Sequence, residues 1–161
     1  MMTNTSINIT LAWHEYAMAS EIGRLRQLTS VRRGSQDNHG FTGLGWSEHI
    51  EGACGEMAVS KFLGVYWDGG IDTFKSADVG ANIQVRTRSS HNYELIVRPD
   101  DYDDDIYVLV TGKCPNYRIR GYIYGNEAKM SEYLQNHGNR PSAYFVPHSK
   151  LLDINNLKGK R

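Results

Sequence analysis

The run Asp105-Ile-Tyr-Val-Leu-Val-Thr-Gly112 is the feature that most constrains the fold. It is a continuous apolar segment too short for a helix of ordinary length and bounded by turn residues. Such a segment reads as a strand buried on both faces. Residues 116–125, NYRIRGYIYG, alternate apolar and polar and read as its neighbour. Ile83-Gln84-Val85-Arg86 alternates in the same way. Gln84 and Arg86 share one face, and Ile83 and Val85 share the other, taken as the core face. HNYELIVRP reads as a strand joined to it by a tight turn at 89–92, and AYFVPHSKL as a short last strand that Pro147 limits to an edge or an end.

Helical spacing is expected from about Thr10 to Arg33, with Thr10 as N-cap and residues 1–9 as a loose arm. A second helix is expected from about Ser47 to Leu63, capped by Ser47 and stopped by Gly64. Gly52, Ala53, Cys54 and Gly55 crowd its first half, which suits close approach to a sheet. A short helix, EAKMSEYLQ, follows Asn126. The loop 34–47 is long for a compact domain, so a gating role is open. The order predicts a mixed α/β or α+β fold, one central sheet with helices on its faces. A chain of 161 residues suits a single domain over 1–161, with an N-terminal helix and loop at 1–47 and a core at 48–155.

Composition narrows the function classes. Eighteen basic and 18 acidic residues argue against a surface that coats nucleic acid throughout, but leave room for a local basic patch. Two cysteines give no disulfide framework, so a reducing, cytoplasmic setting is expected. The polar first ten residues predict no secretory leader, and no apolar run is long enough for a membrane span. His39, His91, His137 and His148 lack paired ligand spacing. The acidic run 100–105 reads as a solvated turn.

The chemistry concentrates between Glu48 and Arg88. Glu56 has no cation three or four positions away on its helix, so it either points to solvent or has a partner from elsewhere. Asp78 enters the strand that carries Gln84 and Arg86. Glu56, Asp78, the Gln84 side-chain carbonyl and the Val85 backbone oxygen supply hard oxygen ligands of the kind Mg²⁺ or Mn²⁺ takes. Arg86 is placed to stabilise charge on a phosphoryl group. Lys75 and Arg88 are the expected nucleic-acid contacts; Arg88 equally reads as a solvated strand end.

Taken together, GACGEMAVSKFLG with Glu56, SADVGAN with Asp78, and Gln84-Val85-Arg86 resemble the PD-(D/E)XK nucleases, the restriction-endonuclease-like superfamily. GYIYGNEAKMSEY and AYFVPHSKLLDI resemble the C-terminal part of small phage-encoded or mobile-element members, so the likeness spans about 48–155. It implies a restriction-endonuclease-like sheet, Mg²⁺-dependent hydrolysis of DNA, catalytic roles for Glu56, Asp78, Gln84 and Arg86, a homodimer, and a host-cell cytoplasm if phage-encoded. Gln84 stands where the family pattern has an acidic residue, which weakens metal binding. Arg86 stands where it has lysine; arginine clamps a phosphate but does not act as a base. The alternative reading is a catalytically degenerate module on the same fold that binds nucleic acid or a protein partner.

Overall fold

A computed structural model describes residues 5–34, 45–71 and 76–159. The apolar run forms β4 (Ile106–Lys113), buried through Gly112, and its alternating neighbour forms β5 (Asn116–Tyr124). They pair antiparallel, with a bulge between Leu109 and Val110. The motif strand is β2 (Ile83–Arg88), parallel to β4 and at the edge of the sheet. The opposite edge is β1 (Ile7–Thr10), antiparallel to β5. This four-stranded sheet runs β1-β5-β4-β2.

Alternation along β4 divides the interior into two cores. Ile106, Val108 and Val110 pack with Ala53, Cys54, Ala58 and Val59 beneath the long helices. Tyr107 and Leu109 pack with Leu95, Val97 and Val146 on the other face. The first face is covered by α1 (Trp13–Arg33) and α2 (Gly45–Leu63). The second is covered by a small sheet in the order β3-β7-β6, made from β3 (Leu95–Val97), β6 (Leu134–Gln135) and β7 (Ala143–Val146). The mixed α/β class is as expected. The two long helices, however, share one face, and strands occupy the face where further helices were expected.

Two glycines set how closely the layers approach. A Cβ on Gly55 would lie 1.9 Å from Thr87 Oγ1, so α2 meets β2 through that residue. A Cβ on Gly23 would lie 2.5 Å from Ile50 Cα, which is where α1 crosses α2. Gly52 meets nothing within 4 Å and plays no such part.

Several local expectations are corrected. Residues 7–10 form β1 rather than an arm, because Ile7 and Ile9 reach the helix-side core. Thr10 lies in that strand, and α1 starts after Ala12, whose N–H donates to Glu15 Oε1 at 2.7 Å. Ser47 is already inside α2. The turn at 89–92 does not close a hairpin: β4 takes one edge of β2, and residues 78–79 bond to Ile83 on the other. The 95–97 strand therefore pairs with β7 instead. The expected helix after Asn126 is only α3 (Gly125–Ala128), because Met130 is already extended and the chain turns into β6. β7 ends immediately before Pro147, and Gly64, at φ 68°, stops α2 as expected. Among the described residues, no helix is long and apolar enough to cross a membrane.

Candidate metal and phosphate site

Glu56 lies on α2 in the layer between α1 and the sheet and is 5% exposed. It does not face solvent. Arg26 of α1 holds both its oxygens, Nη1 to Oε2 at 2.6 Å and Nη2 to Oε1 at 3.0 Å. Trp67 Nε1 donates to Oε1 at 3.2 Å, and Arg26 Nε is anchored on the Gly70 carbonyl at 2.9 Å. A two-pronged guanidinium–carboxylate pair is the strongest ordinary ion-pair geometry, and burial makes its separation costly.

Asp78 occupies the open edge of β2. The N–H and carbonyl of Ile83 both bond to the 78–79 segment on that edge. Val85, two residues on, has the same strand orientation. Its N–H donates to Asp78 Oδ2 at 2.7 Å. The Asp78 carboxyl is raised from 3.8 to about 7: burial and then the neighbouring Glu56 carboxylate push it up, against the Val85 N–H, Arg86 and Arg26, which pull it down. Asp78 thus sits within electrostatic reach of Glu56 on one side and two guanidiniums on the others.

Gln84 and Arg86 do share a face, but it is the small-sheet face, away from α2. Gln84 is 7% exposed, and its Nε2 donates to Asp105 Oδ2 at 3.1 Å and to the Ser76 carbonyl at 3.2 Å. Arg86 pairs with Asp101 Oδ2 at 2.8 Å and lies 5.1 Å from the centre of the Tyr107 ring. The acidic run is therefore more than a solvated turn: Asp101 and Asp105 are the fixed partners of the strand motif. Arg88 turns away from all of these, donating to the Glu94 carbonyl at 2.9 Å. Lys75 lies outside the described residues, as do residues 35–44 of the expected gating loop.

At this edge, Asp78 and the Val85 carbonyl are oxygens of the kind a hard divalent ion such as Mg²⁺ takes. Such ions take one or two carboxylates, keep several waters and complete their shell with substrate phosphate, rather than needing a cage of protein ligands. Asp78 and the Val85 carbonyl face one edge, while both oxygens of Glu56, on the helix side, are held by Arg26. No group of three or more His, Cys, Asp or Glu side chains suited to a metal occurs among the described residues. Gln84 lies on the small-sheet face, and its amide nitrogen is committed to Asp105 and the Ser76 carbonyl.

Arg26, Trp67, Asp101 and Asp105 were not among the expected site residues. A signal for Arg26 exists in the sequence. Ala19, Gly23 and Arg26 recur at helical spacing, and the first two are buried, so the cation continues an inward-facing stripe. Comparison with models of protein families, with curated proteins and with solved structures found no match.

Proposed function

We propose that this protein is a metal-dependent nuclease that hydrolyses phosphodiester bonds in DNA, with Asp78 at the centre of the site. One observation carries the reading. The Asp78 carboxylate is fixed by the Val85 N–H at an open strand edge, beside a second carboxylate and between two arginines. Asp78 and the Val85 carbonyl would hold the ion, joined by Glu56 once Arg26 releases one of its oxygens. When bound, it would polarise the scissile phosphate and lower the pKa of a bound water. Arg86, oriented by Asp101, is available to neutralise charge on the phosphoryl oxygens, and its fixed protonation suits that role and excludes that of base. With a pKa of about 7, Asp78 must lose its proton to serve as a ligand, so metal affinity rises with pH through neutrality.

The test is cleavage of plasmid, linear, single-stranded and branched DNA with Mg²⁺ or Mn²⁺, run beside Asp78→Ala. The expected result is cutting that needs the ion and disappears in the variant. Wild-type cutting that survives in EDTA, or in Asp78→Ala, would refute the assignment.

The Arg26–Glu56 pair favours a second reading, a degenerate member that binds nucleic acid without cutting it, since both Glu56 oxygens are already engaged. That reading predicts no metal binding at high Mg²⁺ or Mn²⁺ and DNA affinity that falls with salt.

A further inference from the structure

Arg88 leads into a different part of the molecule. Past the end of β2, the segment 92–94 and β3 on one side, and the segment before β7 on the other, enclose an open concavity of about 320 Å³. Three arginines from three separate segments line it: Arg88 at the end of β2, Arg98 just after β3, and Arg140 in the approach to β7. One carboxylate, Glu94, lies among them, and His137 completes the polar wall. Among the described residues, no carboxylate pairs with the Arg140 guanidinium.

The cations are close enough to act on one another. Arg88 is held below its usual range by burial first, and the charges of Arg98 and Arg140 add to this, against the opposing effects of Tyr93 and Glu94. A hollow that gathers positive charge in this way attracts an anion. Arg88 is also braced: its guanidinium sits 4.4 Å from the centre of the Tyr93 ring and donates to the Glu94 carbonyl. A braced guanidinium loses little freedom on meeting a phosphate, and its planar fork matches phosphate oxygens.

The lining also includes two aromatic rings, Tyr93 and Phe145. Tyr93 is 46% exposed, and Phe145 carries His137 edge-on at 4.8 Å between ring centres. Inorganic phosphate alone has no use for such rings. A nucleobase does, because stacking on an aromatic side chain tolerates any base. The volume lies near the lower end of the ~300–1,000 Å³ range of small-ligand pockets. It is of a size to receive one nucleotide unit.

We propose that this concavity binds a single nucleotide, its phosphate received by Arg88, Arg98 and Arg140 and its base against Tyr93. The same chemistry is offered by a free mononucleotide and by the phosphorylated end of a strand. The proposal takes up Arg88 as a nucleic-acid contact but does not depend on metal-dependent cleavage, since none of the metal-ligand candidates lines the hollow.

The test is calorimetric titration in EDTA with dAMP, deoxyadenosine, inorganic phosphate and a 5′-phosphorylated single-stranded tetranucleotide. The full chain is used as wild type, Arg140→Ala, Tyr93→Ala and Asp78→Asn, each first shown to melt cooperatively. dAMP is expected to bind at least about tenfold more tightly than either deoxyadenosine or phosphate. Arg140→Ala and Tyr93→Ala should each weaken dAMP by about tenfold, and Asp78→Asn should leave it unchanged. Tighter binding of the tetranucleotide than of dAMP identifies a strand end as the ligand; equal or weaker binding identifies the free nucleotide. Equal affinity for dAMP and deoxyadenosine, or indifference to Arg140→Ala, overturns the proposal. Loss of dAMP binding in Asp78→Asn moves the ligand to the strand edge and overturns it too. Failure of cleavage with dAMP binding intact would count against the nuclease alone.

Discussion

Asp78→Asn should make the protein more stable at pH 8 while abolishing cleavage. The Asp78 carboxyl is raised from 3.8 to about 7, first by burial and then by Glu56. Its folded pKa therefore exceeds its unfolded one. Between those values the folded protein holds the proton more firmly than the unfolded chain, so stability falls as pH rises and the loss is complete above about pH 7. At about 1.4 kcal/mol per pH unit, the interval caps the loss near 4 kcal/mol. The partial exposure of Asp78 and its coupling to Glu56 reduce the expected value to about 2–4 kcal/mol. Asparagine keeps an oxygen for the Val85 N–H, so the bond at 2.7 Å has a neutral acceptor in its place. The unfolded carboxyl already ionises near 3.8, so the difference between variant and wild type should be about 1–2 kcal/mol at pH 5 and should widen to its full value by about pH 7. At about 2–4 °C per kcal/mol for a chain of this size, the variant should melt about 5–15 °C higher at pH 8. Thermal melts of both proteins at pH 5, 6, 7 and 8, in EDTA, measure this. Taking the difference between the two cancels every group they share. A melting difference that stays constant with pH, or a variant less stable at pH 8, refutes the account of Asp78.

Arg26→Ala leaves the Glu56 carboxylate 5% exposed with Trp67 as its remaining donor, and should cost about 3–5 kcal/mol in urea unfolding at pH 7. Arg26→Ala with Glu56→Gln should recover part of that; a single-variant cost under about 1 kcal/mol would show that the pair contributes little. Gly55→Ala drives a methyl into Thr87 and should cost at least about 1–3 kcal/mol, partly relieved by Thr87→Ala. Thr87→Ala alone should be comparatively mild, because the Thr87 hydroxyl is buried without a partner; similar losses in all three variants would rule out the contact as the cause. Cys54 is fully buried 3.9 Å from the Cys114 sulfur, and burial lifts its thiol to about 12. Mass spectrometry after native alkylation at pH 8 should find Cys54 unmodified, and rapid labelling of Cys54 would contradict the packing around α2.

The strands were more legible in the sequence than their partners. β4 announced itself by an unbroken apolar run, and β2 by an alternation that put Gln84 and Arg86 on one face. Alternation assigns residues to faces but does not say what covers each face. Both sides of β4 proved buried, so the face bearing Arg86 is covered by a second sheet. The hairpin expected at 89–92 failed for a related reason: a turn signal is local, whereas the availability of a strand's edge depends on segments far away in the chain. The Glu56 partner was hidden similarly. Arg26 is 30 residues distant, beyond anything helical spacing can connect. The acidic run 100–105 misled because like charges read as solvated until their cations are located, and those cations lie on other elements.

The pairing of β1 with β5 has a consequence for how the chain is made. Ile7 sits opposite Ile119, so β1 waits during synthesis for a strand more than a hundred residues later. At about 5–20 residues per second, that interval lasts roughly 5–20 s. Both long helices are synthesised within it, with their inward faces uncovered until β4 and β5 arrive. Biogenesis, rather than the finished fold, is therefore where this architecture is most exposed to aggregation, and chaperone demand should concentrate on nascent chains that end before β5.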